Sequence, residues 1–286
     1  MSLARVFYST KQYDLSVKYY EKIPRNSEHW LPSLFEASWA HFMRNNFSKA
    51  LGNIHTLNAP YFEDRFFPES LVLKAVIYWK NCLYSRSETA VNEFYAKYPA
   101  LKKEVDGLLK RTDDPVEFYE YIQSVRKGST GMEPRVQRFV LSALSDKQME
   151  KALGYVQELD RELAQVEQAD PSWKATAIAG EVLQDLTLQR SLAQNGAGDL
   201  ARRRLKRLSN EISELNKQAI KVEYENINGK KNKLEATLRN EQVVEAPTEA
   251  KSIAPDDEHL FWPFNGEYWR DELGYYRFKI ASRCTR

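Results

Sequence analysis

The chain has 286 residues, 42% hydrophobic and 29% charged, which is enough for one to three domains with a sizeable core. Forty-two basic residues against forty acidic ones leave a formal net charge of +2, too even to argue for a nucleic-acid binder. Eleven glycines and eleven prolines are few for this length and favour helices over a turn-rich sheet protein. Cys82 and Cys284 are the only cysteines, so this is no cysteine scaffold, and a disulfide between them is possible but unsupported by the sequence. His29, His41, His55 and His259 lack metal-ligand spacing, and no run approaches the roughly twenty apolar residues of a membrane span. Phosphate-cradling glycines, a nucleophile elbow, HExxH and paired cysteines are all missing, so neither enzyme nor cofactor is expected.

The opening MSLARVF reads straight into a helical pattern. It suits a cytosolic start and equally a chain whose export signal has been removed. Laying YSTKQYDLSVKYYEKI (Tyr8–Ile23) over FMRNNFSKALGNIHTL (Phe42–Leu57) puts Tyr13 on Phe47, Ser16 on Ala50, Tyr20 on Ile54 and Ile23 on Leu57. The small residues let two helices approach, and the larger ones fill the groove between them. A third unit is predicted over Pro68–Tyr98, with Ala90 as the small residue and Phe94 as the large one, after an insertion, NAPYFEDRFFPES.

Over about the first hundred residues this pattern resembles the tetratricopeptide repeat (TPR), a helix–turn–helix unit with a 34-residue period. The first helices of the two complete pairs lack the family's tryptophan and glycine. The resemblance implies an α-solenoid whose inner surface carries Leu34, Ser38, His41 and Phe42, with Phe7 and Tyr8 in the first unit, and a groove for a protein or peptide partner. The basic clamp with which some members grip a C-terminal carboxylate is not evident. The stretch ETAVNEFYAKYP is similar to envelope-associated bacterial members, which implies the periplasm or cell envelope.

Further along, Pro99 is placed to open ALKKEVDGLLKR, and Asp114-Pro115 to cap and open VEFYEYIQSVRKG. GSTGMEP (Gly128–Pro134) is a loop, and RVQRFVLSAL restarts helix. From Lys147, apolar residues at Ala152, Val156, Leu159, Leu163 and Val166 recur at three and four. Asp170-Pro171-Ser172-Trp173 kinks this helix or starts another. After NGAG (Asn195–Gly198), the residues Leu205, Leu208, Ile212, Leu215, Ala219 and Val222 repeat the same seam. The economical reading is a long antiparallel helical hairpin with its turn at 195–198 and arms of about 60 Å. Arg202, Arg203, Arg204, Lys206 and Arg207 cluster beside that turn, and Arg203 and Arg207 are candidate partner contacts. With Asp199, Glu211 and Glu214 nearby and no interleaved aromatics, the cluster reads more readily as a solvated helix face than as a nucleic-acid contact.

Glu241–His259 is rich in Pro, Ala and Glu and reads as a linker. The block HLFWPFNGEYWRDELGYYRF follows (His259–Phe278), with Trp262 and Trp269 as candidate contacts. It is too aromatic to stay in water; a strap that docks back on the helices is the favoured reading, and a partner-binding block, or a segment that occupies the groove and yields to a partner, is the competing one.

The expected plan is thus all-α. A TPR-like repeat domain occupies 1–145, a helical hairpin 146–241, and a linker with the aromatic strap 242–286. The leading function is a non-enzymatic scaffold or adaptor for a protein or peptide partner in a bacterial cell-envelope assembly. The alternative is a cytoplasmic regulatory adaptor that meets nucleic acid or a signalling partner through the basic hairpin. A hydrolase using Glu267, Asp271 and Glu272 comes third. The sequence leaves the oligomeric state open.

Overall fold

The computed structural model of the chain describes residues 1–63, 65–239 and 265–284. Among them are eleven α-helices, one short 3-10 helix at Pro60–Phe62 and no strand. None of these helices is long and apolar enough to cross a membrane. The chain forms two compact units. The first comprises Met1–Glu63, Phe67–Tyr98 and Glu214–Arg286, and the second Asp64–Phe66 and Pro99–Ser213.

In the first unit, three helix pairs follow one another: α1 (Ser2–Ser9) with α2 (Tyr13–Tyr20), α3 (Trp30–Met43) with α4 (Phe47–Leu57), and α5 (Pro68–Lys80) with the start of α6 (Tyr84–Leu109). The turn inside each pair is the same. Lys11, Asn45 and Cys82 take the left-handed conformation at φ 60°, 58° and 55°. In each turn two backbone N–H groups reach back to the helix end. Lys11 and Gln12 donate to the carbonyls of Tyr8 and Phe7, Asn45 and Asn46 to Phe42 and His41, and Cys82 and Leu83 to Trp79 and Tyr78. This double bond satisfies carbonyls that a helix C-terminus otherwise leaves open. The insertion before α5 makes the step from the second turn to the third 37 residues, against 34 from the first to the second.

Small residues sit where the helices of a pair touch. Ser16 Oγ donates to the Ala4 carbonyl (2.9 Å) and Ser87 Oγ to the Ala75 carbonyl (2.8 Å), both bonds buried. By the register of the turns, Ser87 and not Ala90 is the counterpart of Ser16 and Ala50. That corrects the sequence reading, although Ala90 and Phe94 are fully buried as well. Ala50, Leu51, Ile54, Leu73, Ile77 and Tyr78 form one core cluster, and Ala4, Tyr20 and Ala37 another. The end of α11 (Ala177–Leu238) belongs to this unit, where Asn226 Nδ2 donates to Ser87 Oγ (3.0 Å) and Gly229 faces the Tyr84 ring.

The second unit holds α7 (Pro115–Arg126), α8 (Pro134–Ala143), α9 (Lys147–Gln168), α10 (Pro171–Lys174) and the first part of α11. Asp114, Asp146 and Asp170 each cap the helix that follows, their carboxylates accepting from N–H groups of its first turn. Phe118, Ile122, Val140, Met149, Val156, Leu205 and Ile212 are fully buried.

Two further sequence readings are corrected. Pro99 does not open a helix but lies inside α6, where Val91, Phe94, Tyr98, Leu101, Val105 and Leu108 keep one buried face running across it. Packing of that face outweighs the one hydrogen bond that proline removes. Asn195–Gly198 is not a turn but lies inside the 62-residue α11. Its glycine answers to packing, since a Cβ on Gly198 would lie 1.8 Å from the Pro115 carbonyl oxygen. The chain reverses earlier, around α10. Tyr155 then meets Gln189, Asp160 meets Arg190, and Asp146 meets Arg204 across α9 and α11.

Candidate interaction surface

Residues 265–284 contain no helix and run along the first unit. Their direction is antiparallel to α4. The Gly274 N–H donates to Thr56 Oγ1 (2.8 Å), the Tyr276 carbonyl lies over Gly52, and the Phe278 N–H donates to the Ser48 carbonyl (3.1 Å). Two strap residues thus pass each four of the helix. The spacing is physically required, because an extended residue rises about 3.3 Å and a helical one 1.5 Å. Lys49 Nζ donates to the Gly274 carbonyl (2.8 Å), and burial, followed by the nearby Arg277, pulls its pKa below the usual lysine range.

His55 projects from α4 into the strap's aromatic residues. Tyr268 stacks on it at 4.7 Å, while Tyr276 and Phe278 meet it edge-on at 4.8 and 5.2 Å. Burial lowers its pKa to about 4, with Lys74 adding to the shift. Phe278 and Ile280 pack on the Ala50–Leu73–Ile77 core. At the strap's start, Arg25 donates to the carbonyls of Asp271 (2.8 Å) and Arg270 and stacks against Trp30 and Tyr275. Tyr61 OH donates to the Tyr268 carbonyl (3.0 Å). At the far end, the Arg283 N–H donates to the Asn81 carbonyl (2.9 Å), and Cys284 is disulfide-bonded to Cys82 in the third inter-helix turn. Strap and helices are therefore joined covalently.

Of the α3 residues picked from the sequence, Ser38 is fully buried, with its hydroxyl donating to the Leu34 carbonyl (2.7 Å). His41 is 3% exposed, and neither ring nitrogen has a hydrogen-bond partner among the described residues. Burial lowers its pKa to about 4, reinforced by Lys49, Arg44 and Arg277. Leu34 is half-buried and lies near Gly274 of the strap, and Phe42 packs against Trp39 and Phe47 beneath Lys80. Phe7 stacks on Tyr19 at 5.2 Å and Tyr8 meets Tyr13 edge-on, so both serve the α1–α2 pair.

Trp269 is 54% exposed, and Trp262 lies outside the described residues. Glu267 is half-buried, and Asp271 and Glu272 are exposed. In the second unit, Arg203 and Arg207 are exposed, with Arg203 reaching Asp199 on its own helix. Two neighbours in that cluster are engaged structurally: Arg202 binds Thr112 and Asp113, and Arg204 binds Asp146 and Gln148.

The residues that grip the strap, Arg25, Lys49, Gly52, His55 and Thr56, escaped the sequence reading. Gly52 carried the readable signal, because an isolated glycine inside a helix often marks a close backbone approach. No group of His, Cys, Asp or Glu among the described residues could hold a metal ion. No family model, curated protein or solved structure matches the chain.

Proposed function

We propose that the protein is a non-enzymatic interaction scaffold of TPR-like helix pairs, working in an oxidising bacterial compartment such as the periplasm or cell envelope. The observation that carries this reading is the strap along α4. That face offers an extended chain a row of main-chain and side-chain hydrogen-bond partners and a slot lined by His55, which is how peptide-binding grooves work. The thrice-repeated turn and the small-residue contacts Ala4–Ser16 and Ala75–Ser87 support the repeat reading. The Cys82–Cys284 disulfide supports the compartment, since such bonds persist where thiols are not kept reduced.

The test is affinity capture from native envelope extract. It compares the full chain with a version lacking 261–286 and carrying Cys82→Ser, after circular dichroism shows both are folded. A discrete protein retained by either form, and released by the competing form in solution, is the expected result. Failure of both forms to retain any discrete protein would refute the scaffold reading.

A further inference from the structure

Two separate holds keep the strap on the first unit. One is non-covalent and lies at the surface. Of the described residues 265–284 only Leu273 is buried, and Trp269 and Tyr275 are 54% and 68% exposed. The core beneath, Ala50, Leu51, Ile54, Leu73 and Ile77, comes from α4 and α5 themselves, with Phe278 and Ile280 packed against it while only partly buried. The helices thus have a core of their own, and lifting the strap does not require opening it. The other hold is the Cys82–Cys284 bond, which ties the strap's far end to a turn 202 residues away in sequence.

Docking also works against itself. Lys49, half-buried under the Gly274 carbonyl that it donates to, has Arg277 of the strap nearby, a cation beside a cation that Glu21 only partly offsets. The buried His41 feels Lys49, Arg44 and Arg277 together. Crowding like charges under a docked segment disfavours the docked state, and the covalent bond counters that tendency.

We infer that the Cys82–Cys284 bond is a redox latch, which a dithiol reductant opens so that the strap yields the α4 face to an extended segment of a partner. The partner in this inference rests on the scaffold reading above, and the latch rests on the strap's own geometry. Both cysteines are partly exposed, so a thiolate of the reductant has access to the bond. It attacks one sulfur, forms a mixed disulfide there and expels the other cysteine as a thiolate, which takes up a proton. The reductant's second thiolate then closes on its first sulfur and frees the remaining cysteine, which is protonated in turn. Two electrons pass to Cys82 and Cys284, and the reductant leaves as its own disulfide. An oxidising compartment keeps the latch shut until such a dithiol is supplied. The strap also defines the chemistry of what replaces it: an extended segment antiparallel to α4, with a carbonyl for Lys49 and aromatic rings on alternate residues around His55, as Tyr276 and Phe278 are.

The test uses the full chain, oxidised and after treatment with dithiothreitol, with circular dichroism to follow the helices. Amide hydrogen exchange is read at Gly274 and Phe278, whose N–H groups bond Thr56 and Ser48, and at Leu51 and Ile54 inside α4. Reduction is expected to leave the helices formed and to speed the strap amides at least about tenfold more than the helix amides. Cys82→Ser is expected to match the reduced chain. No acceleration, or equal acceleration in strap and helix, would overturn the latch. Loss of the helices on reduction would make the bond a staple of the fold and overturn it as well. The second readout is a fluorescent peptide of residues 265–284 with Cys284→Ser, titrated onto the full-length Phe278→Ala chain, whose own strap competes less strongly. Binding at least about tenfold tighter to the reduced than to the oxidised chain is expected. Equal binding, or none to the reduced chain, would overturn the opening of the α4 face. A strap unmoved by reduction, in a protein whose strapless form still retains a partner, would refute the latch and leave the scaffold reading standing.

Discussion

Replacing Gly52 by alanine is expected to destabilise the protein, although alanine is the better helix former. Gly52 lies inside α4, where Gly→Ala in isolation gains about 1 kcal/mol. The added Cβ, however, would lie 1.8 Å from the Tyr276 carbonyl oxygen and 2.5 Å from its carbon. Both are backbone atoms of the strap, so no side-chain rotation relieves the contact. Ordinary separation is about 3.5 Å, and the strap must therefore retreat by at least about 1.5 Å.

A retreat of that size takes the Phe278–Ser48 and Gly274–Thr56 hydrogen bonds out of range, at about 1 kcal/mol each. It also loosens Tyr276 and Phe278 from His55, for about 1–2 kcal/mol more of burial. Net of the helix gain, the loss is about 2–3 kcal/mol. For a chain of this length it appears as a fall in melting temperature of roughly 4–6 °C. Scanning calorimetry on the oxidised protein measures it, and solvent-accessible tyrosine fluorescence follows the strap. A variant that melts at the same or a higher temperature would show that the strap does not lie on Gly52, and the account of the surface would fail with it.

The remaining expectations bear on other parts of the fold. Gly196→Ala should stabilise by about 1 kcal/mol, because Gly196 is helical with nothing within 4 Å of an added Cβ, whereas Gly198→Ala should destabilise against the Pro115 carbonyl; urea unfolding of both variants decides, and loss from Gly196→Ala would restore a turn at that point. Reducing Cys82–Cys284 removes a cross-link across 202 residues, worth up to about 5 kcal/mol on the chain-entropy model, so a melt unaffected by reductant would refute a structural role for the bond. Lowering the pH from 7 to 5 should cost about 2 kcal/mol for each of His41 and His55. Both have folded-state pKa values near 4, below the ordinary 6.5, so the unfolded chain takes up the protons first, and the stability present above pH 6.5 is lost as pH falls towards 4. Urea midpoints that stay level from pH 7 to 5 would contradict that burial.

What the sequence made legible was periodicity. The seam Leu205, Leu208, Ile212, Leu215, Ala219, Val222 is buried throughout, and the small residues Ser16 and Ala50 fall where helices meet. What it concealed were positions at which one local signal has two physical causes. Asn195–Gly198 has the composition of a turn, but glycine is equally what a helix needs where another backbone presses on it. The left-handed residues of the three turns are Lys11, Asn45 and Cys82, and only asparagine advertises that conformation. The strap was legible as a segment needing cover, because its aromatic content is local. Its berth was not, because Arg25, Lys49, His55 and Thr56 are assembled from positions more than two hundred residues away from their partners.

The same ambiguity governs α11, where apolar residues at threes and fours occur on both sides of one helix. A helix that packs on a single core needs one such stripe, and α11 carries a second through Ile220, Tyr224, Ile227, Leu234 and Leu238, each more than half exposed. The strap sets the contrast. Its aromatic rings meet His55 and the α4–α5 core within the same chain, and a disulfide holds them there.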